Sequence, residues 1–309
     1  MSRDARHPNQ REISSLPKEL RRTTVPPQVR DWVARETGAS VVKARRLAGA
    51  SSTSIHGLSL TDGTRLVLRR YVWPGFLQDE PYAPQREVDA LRFAFARRLP
   101  VPEVVAADVT GAQVGDGIPV LLMSFLPGRA VAVPDLEKLA AVAATIHDID
   151  PADLGALGHD YFPWYASYEP VPPAASTWPA LWNTAIDLWH NAMPAYQPTF
   201  IHRDFHPGNV LWQRGRASGV VDWPNGCRGP WGCDIAHCRQ NLVWLASREA
   251  ADDFLAAYEA LTGRNYDYFW ELASIMEHGP SHWTPSQLSE TEPYLERAVA
   301  AIATLPPRR

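Results

Sequence analysis

Asp204 and Asn209 stand five residues apart in the run HRDFHPGN (His202 to Asn209), a loop tightened by Pro207 and Gly208; GVVDW then brings Asp222. Asn209–Trp212 and Gly219–Asp222 read as two short strands joined by the polar loop QRGRAS, a register that sets Asn209 opposite Asp222. An amide oxygen and a carboxylate at one end of a hairpin are hard donors suited to Mg²⁺, which also takes phosphate oxygens and waters. Asp204, on the loop before that end, is suited to orient a hydroxyl and accept its proton while phosphorus bonds to the oxygen. Phosphoryl transfer asks mainly for positioning and neutralised charge, so one base and two metal ligands supply most of it. Any one of the three, taken alone, reads better as a turn residue; the spacing of all three argues for chemistry.

The chain has 309 residues, enough for two lobes, and its net charge of −4 hides an asymmetry. Residues 1–100 hold 18 basic and 10 acidic side chains, the remainder 12 and 24. The first half is thus suited to an anionic ligand and the second to a cationic one, although solvated charge often serves only solubility. Basic residues form no dense stripe with aromatics, which disfavours nucleic acid, and no apolar run could span a bilayer. The N-terminus carries no apolar leader, and the three cysteines suit reduced thiols, so a cytoplasmic protein is expected. Cys227, Cys233, His237 and Cys238 lack the paired spacing of a structural zinc site, and His237 is expected to face core or solvent.

Three segments follow from the pattern. Residues 1–23 read as a flexible or loosely docked arm. Residues 24–126 hold a short helix stopped at Gly38, strands that turn at Asp62-Gly63, and a helix with Val88, Leu91, Phe95 and Leu99 at helical spacing. Residues 127–309 turn mainly helical after Pro127-Gly128.

HRDFHPGN followed by GVVDW resembles the catalytic and metal motifs of the aminoglycoside phosphotransferase and choline kinase-like superfamily. The resemblance covers roughly residues 25–290, specific in its second half and suggestive in its first. It implies an α+β, bilobal protein kinase-like fold: an antiparallel sheet lobe with one or more helices, then a larger, mainly helical lobe. It implies Asp204 as catalytic base, Asn209 and Asp222 as Mg²⁺ ligands, and His202 and Asp234 (in GPWGCDIA) as loop supports, with His206 in the same role. RLVLRRY is similar to the strand carrying the phosphate-binding cation, here Arg69 where a protein kinase has lysine; PQREVDALRF is similar to the helix whose Glu87 pairs with it. Arginine can fork onto phosphate oxygens. Arg70 is the neighbouring candidate, but strand alternation turns it to the other face. Ser51, Ser52 and Thr53, after Gly49, would cover the phosphates, and Met123, Ser124 and Leu126 would form the hinge beside adenine.

The resemblance implies transfer of the γ-phosphoryl of ATP, with GTP as an alternative donor, to a hydroxyl of a small acceptor. An aminoglycoside-type antibiotic leads, on the family name and the acidic second half. A macrolide, a peptide antibiotic, choline or an amino alcohol stays open, as does a non-catalytic nucleotide-binding module. Asp267, Trp270, Glu271 and Glu277 are candidate acceptor contacts. DWP in place of DFG and the lack of an A-P-E segment disfavour a protein kinase. Oligomeric state is not legible.

Overall fold

The computed structural model describes residues 24–47, 52–163, 169–280 and 283–304; the arm of residues 1–23, with Gly49, Ser51 and Trp164, lies outside them. The chain divides into two compact units: residues 1–128 with 218–225, and residues 129–217 with 226–309.

The first unit is built on a five-stranded antiparallel sheet of order β1-β2-β3-β5-β4: β1 Val41–Arg46, β2 Ser54–Leu60, β3 Arg65–Arg70, β4 Val104–Asp108 and β5 Val120–Ser124. Alternate residues of β2 are buried, as expected of a sheet with one face on a core. The β2–β3 turn forms at Asp62-Gly63, where Gly63 takes φ 87° and Asp62 accepts from the Thr64 amide. Helix α1 (Pro27–Thr37) starts with proline in its first turn, ends at left-handed Gly38, and buries Val29, Trp32 and Val33 against Leu58, Leu66, Leu68 and Leu122. Each such side chain contributes about 1.5–3 kcal/mol by leaving water. After the short α2 (Pro74–Asp79), α3 (Ala83–Ala96) buries Glu87, Val88, Leu91 and Phe93. Phe95, expected on that buried face, is 45% exposed: the apolar stripe is centred one step around the helix, and Phe93 takes the inner place.

The second unit holds α4 (Leu136–His147), α5 (Pro179–Asn191), α6 (Trp231–Leu245), α7 (Arg248–Thr262), α8 (Phe269–Glu277) and α9 (Pro285–Ala303). Helix α7 packs on α4 and α6, and α6 packs on α8. Gly232 of α6 makes the last approach feasible, because a Cβ there would sit 2.2 Å from Trp270 Cδ1. Short strands frame the HRDFHPGN loop. β7 (Thr199–Ile201) pairs antiparallel with β10 (Cys227–Gly229), and β8 (Val210–Gln213) with β6 (Arg129–Ala130).

The hairpin after this loop differs from its sequence-based expectation. Arg214 and Gly215 both take positive φ, 50° and 73°, so two residues turn the chain from β8 into β9 (Arg216–Val220) where a six-residue loop was expected. Neither Asn209 nor Asp222 is a strand residue. Asn209 closes a 3₁₀ turn, Pro207–Asn209, and Asp222 lies beyond the end of β9 with φ 71°. Strand β9 carries the chain from the second unit into the first, which therefore includes Asp222.

Candidate active site

In the second unit, Asp234 in the first turn of α6 holds the loop that β7 delivers. Its fully buried carboxylate accepts from the His202 amide at 2.8 Å, from the Arg203 amide, and from His147 Nε2 at 3.0 Å. Burial pushes the His147 imidazole down, against the pull of Asp234, and keeps it neutral. Its Nε2–H therefore donates to Asp234 while Nδ1 accepts from the Tyr258 hydroxyl at 2.8 Å. Arg203 sits in the left-handed region at φ 65°, and its guanidinium is held by the Phe162 carbonyl, by Glu277 at 3.9 Å and by the Tyr161 and Phe162 rings.

Asp204 has a polar neighbour at each carboxylate oxygen. Asn209 Nδ2 donates to Oδ2 at 3.3 Å and to the Asp204 carbonyl at 2.9 Å, while His237 Nε2 stands 2.9 Å from Oδ1. His206 Nε2 lies 4.0 Å from the same oxygen, and its Nδ1 accepts from the Gly208 amide. Burial alone would push Asp204 up, but contact with His237 and the electrostatic influence of the neighbouring His206, His237 and His202 outweigh it and hold the carboxyl well below the usual range. The group is a ready proton acceptor. His202 is fully buried, with Nδ1 accepting from the Asp204 amide.

In the first unit, Arg69 on β3 meets Asp222 Oδ1 at 2.6 Å and Glu87 Oε1 of α3 at 3.2 Å. The Tyr71 hydroxyl donates to the other Glu87 oxygen. Burial pushes Glu87 up and Arg69 opposes it, so the carboxylate persists only as part of this cluster. Arg70, on the opposite face, pairs with Asp116. Ser52 is half-buried and Thr53 only 4% exposed; Met123 is a buried strand residue. The Ser124 amide donates to the Glu103 carbonyl, and its hydroxyl accepts from the Glu103 amide. Half-buried Leu126 packs where a Cβ at Gly219 would intrude.

The carboxylates expected to meet an acceptor are occupied otherwise. Glu271 is buried against Arg239 at 2.7 Å, and Glu277 takes the Tyr161 hydroxyl at 3.0 Å and faces Arg203. Asp267 caps the Phe269 amide at the start of α8, and Trp270 is core, edge-on to Tyr161 and Tyr196. The three carboxylates thus have partners within the chain: at helical spacing a carboxylate turned toward an arginine inside looks the same as one turned toward solvent. His237 is the residue sequence reading missed. Its signal was its place three positions after Asp234, on the same face of α6.

The model of the phosphotransferase enzyme family matches residues 44–272. The chain belongs to that family. Curated relatives include a homoserine kinase of Rhodopseudomonas palustris (strain BisB5), 26% identical over 152 residues that make up 43% of each chain. Another, from Beijerinckia indica, is 31% identical over 137 residues, 40% of this chain and 41% of that one. The matched part thus spans under half the length of these relatives. Among solved structures, a macrolide 2′-phosphotransferase from Brachybacterium faecium is similar with TM-score 0.56 and 19% identity, over 91% of this chain and 99% of that one. A thermostable aminoglycoside phosphotransferase APH(4)-Ia, in ternary complex with AMP-PNP and hygromycin B, gives TM-score 0.59 and 19% identity over 90% and 98%. These likenesses establish the α+β, kinase-like phosphotransferase fold of this family member.

Proposed function

We propose that the protein transfers the γ-phosphoryl group of ATP to the hydroxyl of a small acceptor, with Asp204 as base. The observation that carries this reading is the setting of Asp204: a carboxylate bonded by Asn209 at Oδ2, with His237 Nε2 2.9 Å from Oδ1, on a loop pinned by Asp234. The acceptor hydroxyl gives its proton to Asp204 as its oxygen bonds to the γ-phosphorus, and the bond from that phosphorus to the bridging oxygen breaks to leave ADP.

Asn209 and Asp222 fit the part of Mg²⁺ ligands. Both Nδ2 bonds of Asn209 go to Asp204, which leaves the amide oxygen as the free donor, and Asp222 engages Arg69 through Oδ1 with a side chain 38% exposed. The ion, when bound, neutralises phosphate charge. Arg69, kept charged by Asp222 and Glu87, is suited to fork onto phosphate oxygens.

For the acceptor we favour a hydroxyl-bearing metabolite of the amino alcohol or hydroxy amino acid kind over a polycationic antibiotic. Glu271 and Glu277, the carboxylates a polycation would need, are neutralised by arginines, and the curated relatives bear the name homoserine kinase. The test is γ-labelled ATP and Mg²⁺ with homoserine, choline, amino alcohols, aminoglycosides, macrolides and peptide antibiotics. A labelled amino alcohol supports the reading; label in an aminoglycoside would overturn the acceptor and keep the reaction; tight nucleotide binding with no labelled product would point to a non-catalytic module.

A further inference from the structure

We infer that His237 is a positioning residue for Asp204, turning the carboxylate so that its free lone pair meets the acceptor hydroxyl; this rests on the reading of Asp204 as the base. The imidazole is only 4% exposed, yet Nε2 comes within 2.9 Å of Asp204 Oδ1 and makes no hydrogen bond to any described atom. A buried ring nitrogen left without such a bond is costly, and among the described residues the carboxylate in reach is the base itself. Hydrogen bonds of catalytic groups are often misaligned before the reacting complex forms and tighten within it. A small turn of the Asp204 side chain completes the bond from Nε2–H to Oδ1.

The ring cannot swing away to follow another partner. It projects from α6, a four-turn helix packed on α7 and α8, and His278 stacks on it at 4.8 Å and 25°. His278 is fixed in turn, its Nδ1 on the Ser274 carbonyl one helical turn back. With Asn209 Nδ2 on Oδ2, the completed bond from His237 would hold the carboxylate from both sides and leave the base little rotation. Pre-set orientation of this kind lowers the barrier because a misplaced base must be brought into line at each turnover.

Asp204, His206 and His237 also bring two imidazoles and a carboxylate within 4.8 Å of one another, the composition of a transition-metal site. The geometry favours positioning. His206 Nδ1 accepts from the Gly208 amide, so the neutral ring carries its proton on Nε2, the nitrogen nearer Asp204, where a metal would require a lone pair.

His237→Gln keeps an N–H at comparable reach, while His237→Leu removes it and His237→Asn is too short to use it. Turnover of γ-labelled ATP is measured with the best acceptor of the panel, and with water as acceptor where the panel is blank. His237→Leu is expected to lower kcat about 10- to 100-fold with the KM for ATP unchanged, and His237→Gln to regain most of it. If the leucine variant does not fold, His237→Asn serves in its place. Against residual turnover in Asp204→Asn, removal of His237 should cost nothing further. Wild-type kcat in a folded His237→Leu, or an equal loss in both backgrounds, would overturn the inference while leaving Asp204 as base. Full turnover in Asp204→Asn would overturn the base assignment and the inference with it. A tetrahedral Co²⁺ absorption band that His237→Leu abolishes would replace positioning with a metal site.

Discussion

Asp204 and Asp222 answer to different elements, and their substitution should separate two functions. Asp204→Ala removes the proton acceptor but no proposed nucleotide contact. Transfer should fall to background while ATP affinity, read by isothermal calorimetry, changes less than about threefold. Asp222→Ala removes a proposed Mg²⁺ ligand and leaves Arg69 with Glu87 alone. The Mg²⁺-dependent part of ATP affinity should disappear in the same measurement. At this scale the sequence was legible for groups whose partners lie close along the chain, such as Asp204 with Asn209. It was not for His237, whose meeting with Asp204 depends on how α6 is rolled against the loop, a choice made by packing.

Among the elements, the loop His202–Asn209 owes its shape to α6 through a single side chain. Asp234→Ala strands two backbone amides and the His147 ring without acceptors, each buried. Stability should drop by about 3–5 kcal/mol in urea unfolding, together with activity. The β4–β5 connection is held in a similar way by Asp108. Burial pushes this carboxyl up, but the Val114 amide, the Thr110 hydroxyl and the Gln113 amide outweigh it and hold it below its ordinary value of 3.8. A depressed folded value stabilises above the ordinary pKa and is lost as pH falls through the folded one. Asp108→Asn should therefore flatten the fall in melting temperature below about pH 4 while lowering it at pH 7. Periodicity gave the strands, the Asp62-Gly63 turn and the helix bearing Glu87. It misplaced the turn after β8, because two positive-φ residues in sequence are uncommon when the first is an arginine. The ion pairs of the acidic side chains on α8 were not legible for a further reason: their arginine partners lie 32 and 74 positions earlier, at Arg239 and Arg203.

For the molecule as a whole, a bound nucleotide should show as stability. If Mg²⁺–ATP binds the folded chain alone, a concentration of 100 times Kd adds about 2.7 kcal/mol, read as a rise in melting temperature that a chelator reverses. Adenosine, which has no phosphates for Arg69 to meet, should give a smaller rise in the same melt. No helix among the described residues is long and apolar enough to cross a membrane.

The chain leaves its first unit at residue 128 and returns for residues 218–225 before leaving again. Synthesis runs from the N-terminus, so a ribosome holds the sheet of β1 to β5 finished in sequence long before Asp222 emerges. Until then, of the two described carboxylates that meet Arg69 in the folded unit, only Glu87 has been made. A fragment cut at residue 128 would likewise lack Asp222. In this chain the charge balance of the earliest unit is completed by one of the later segments to be translated.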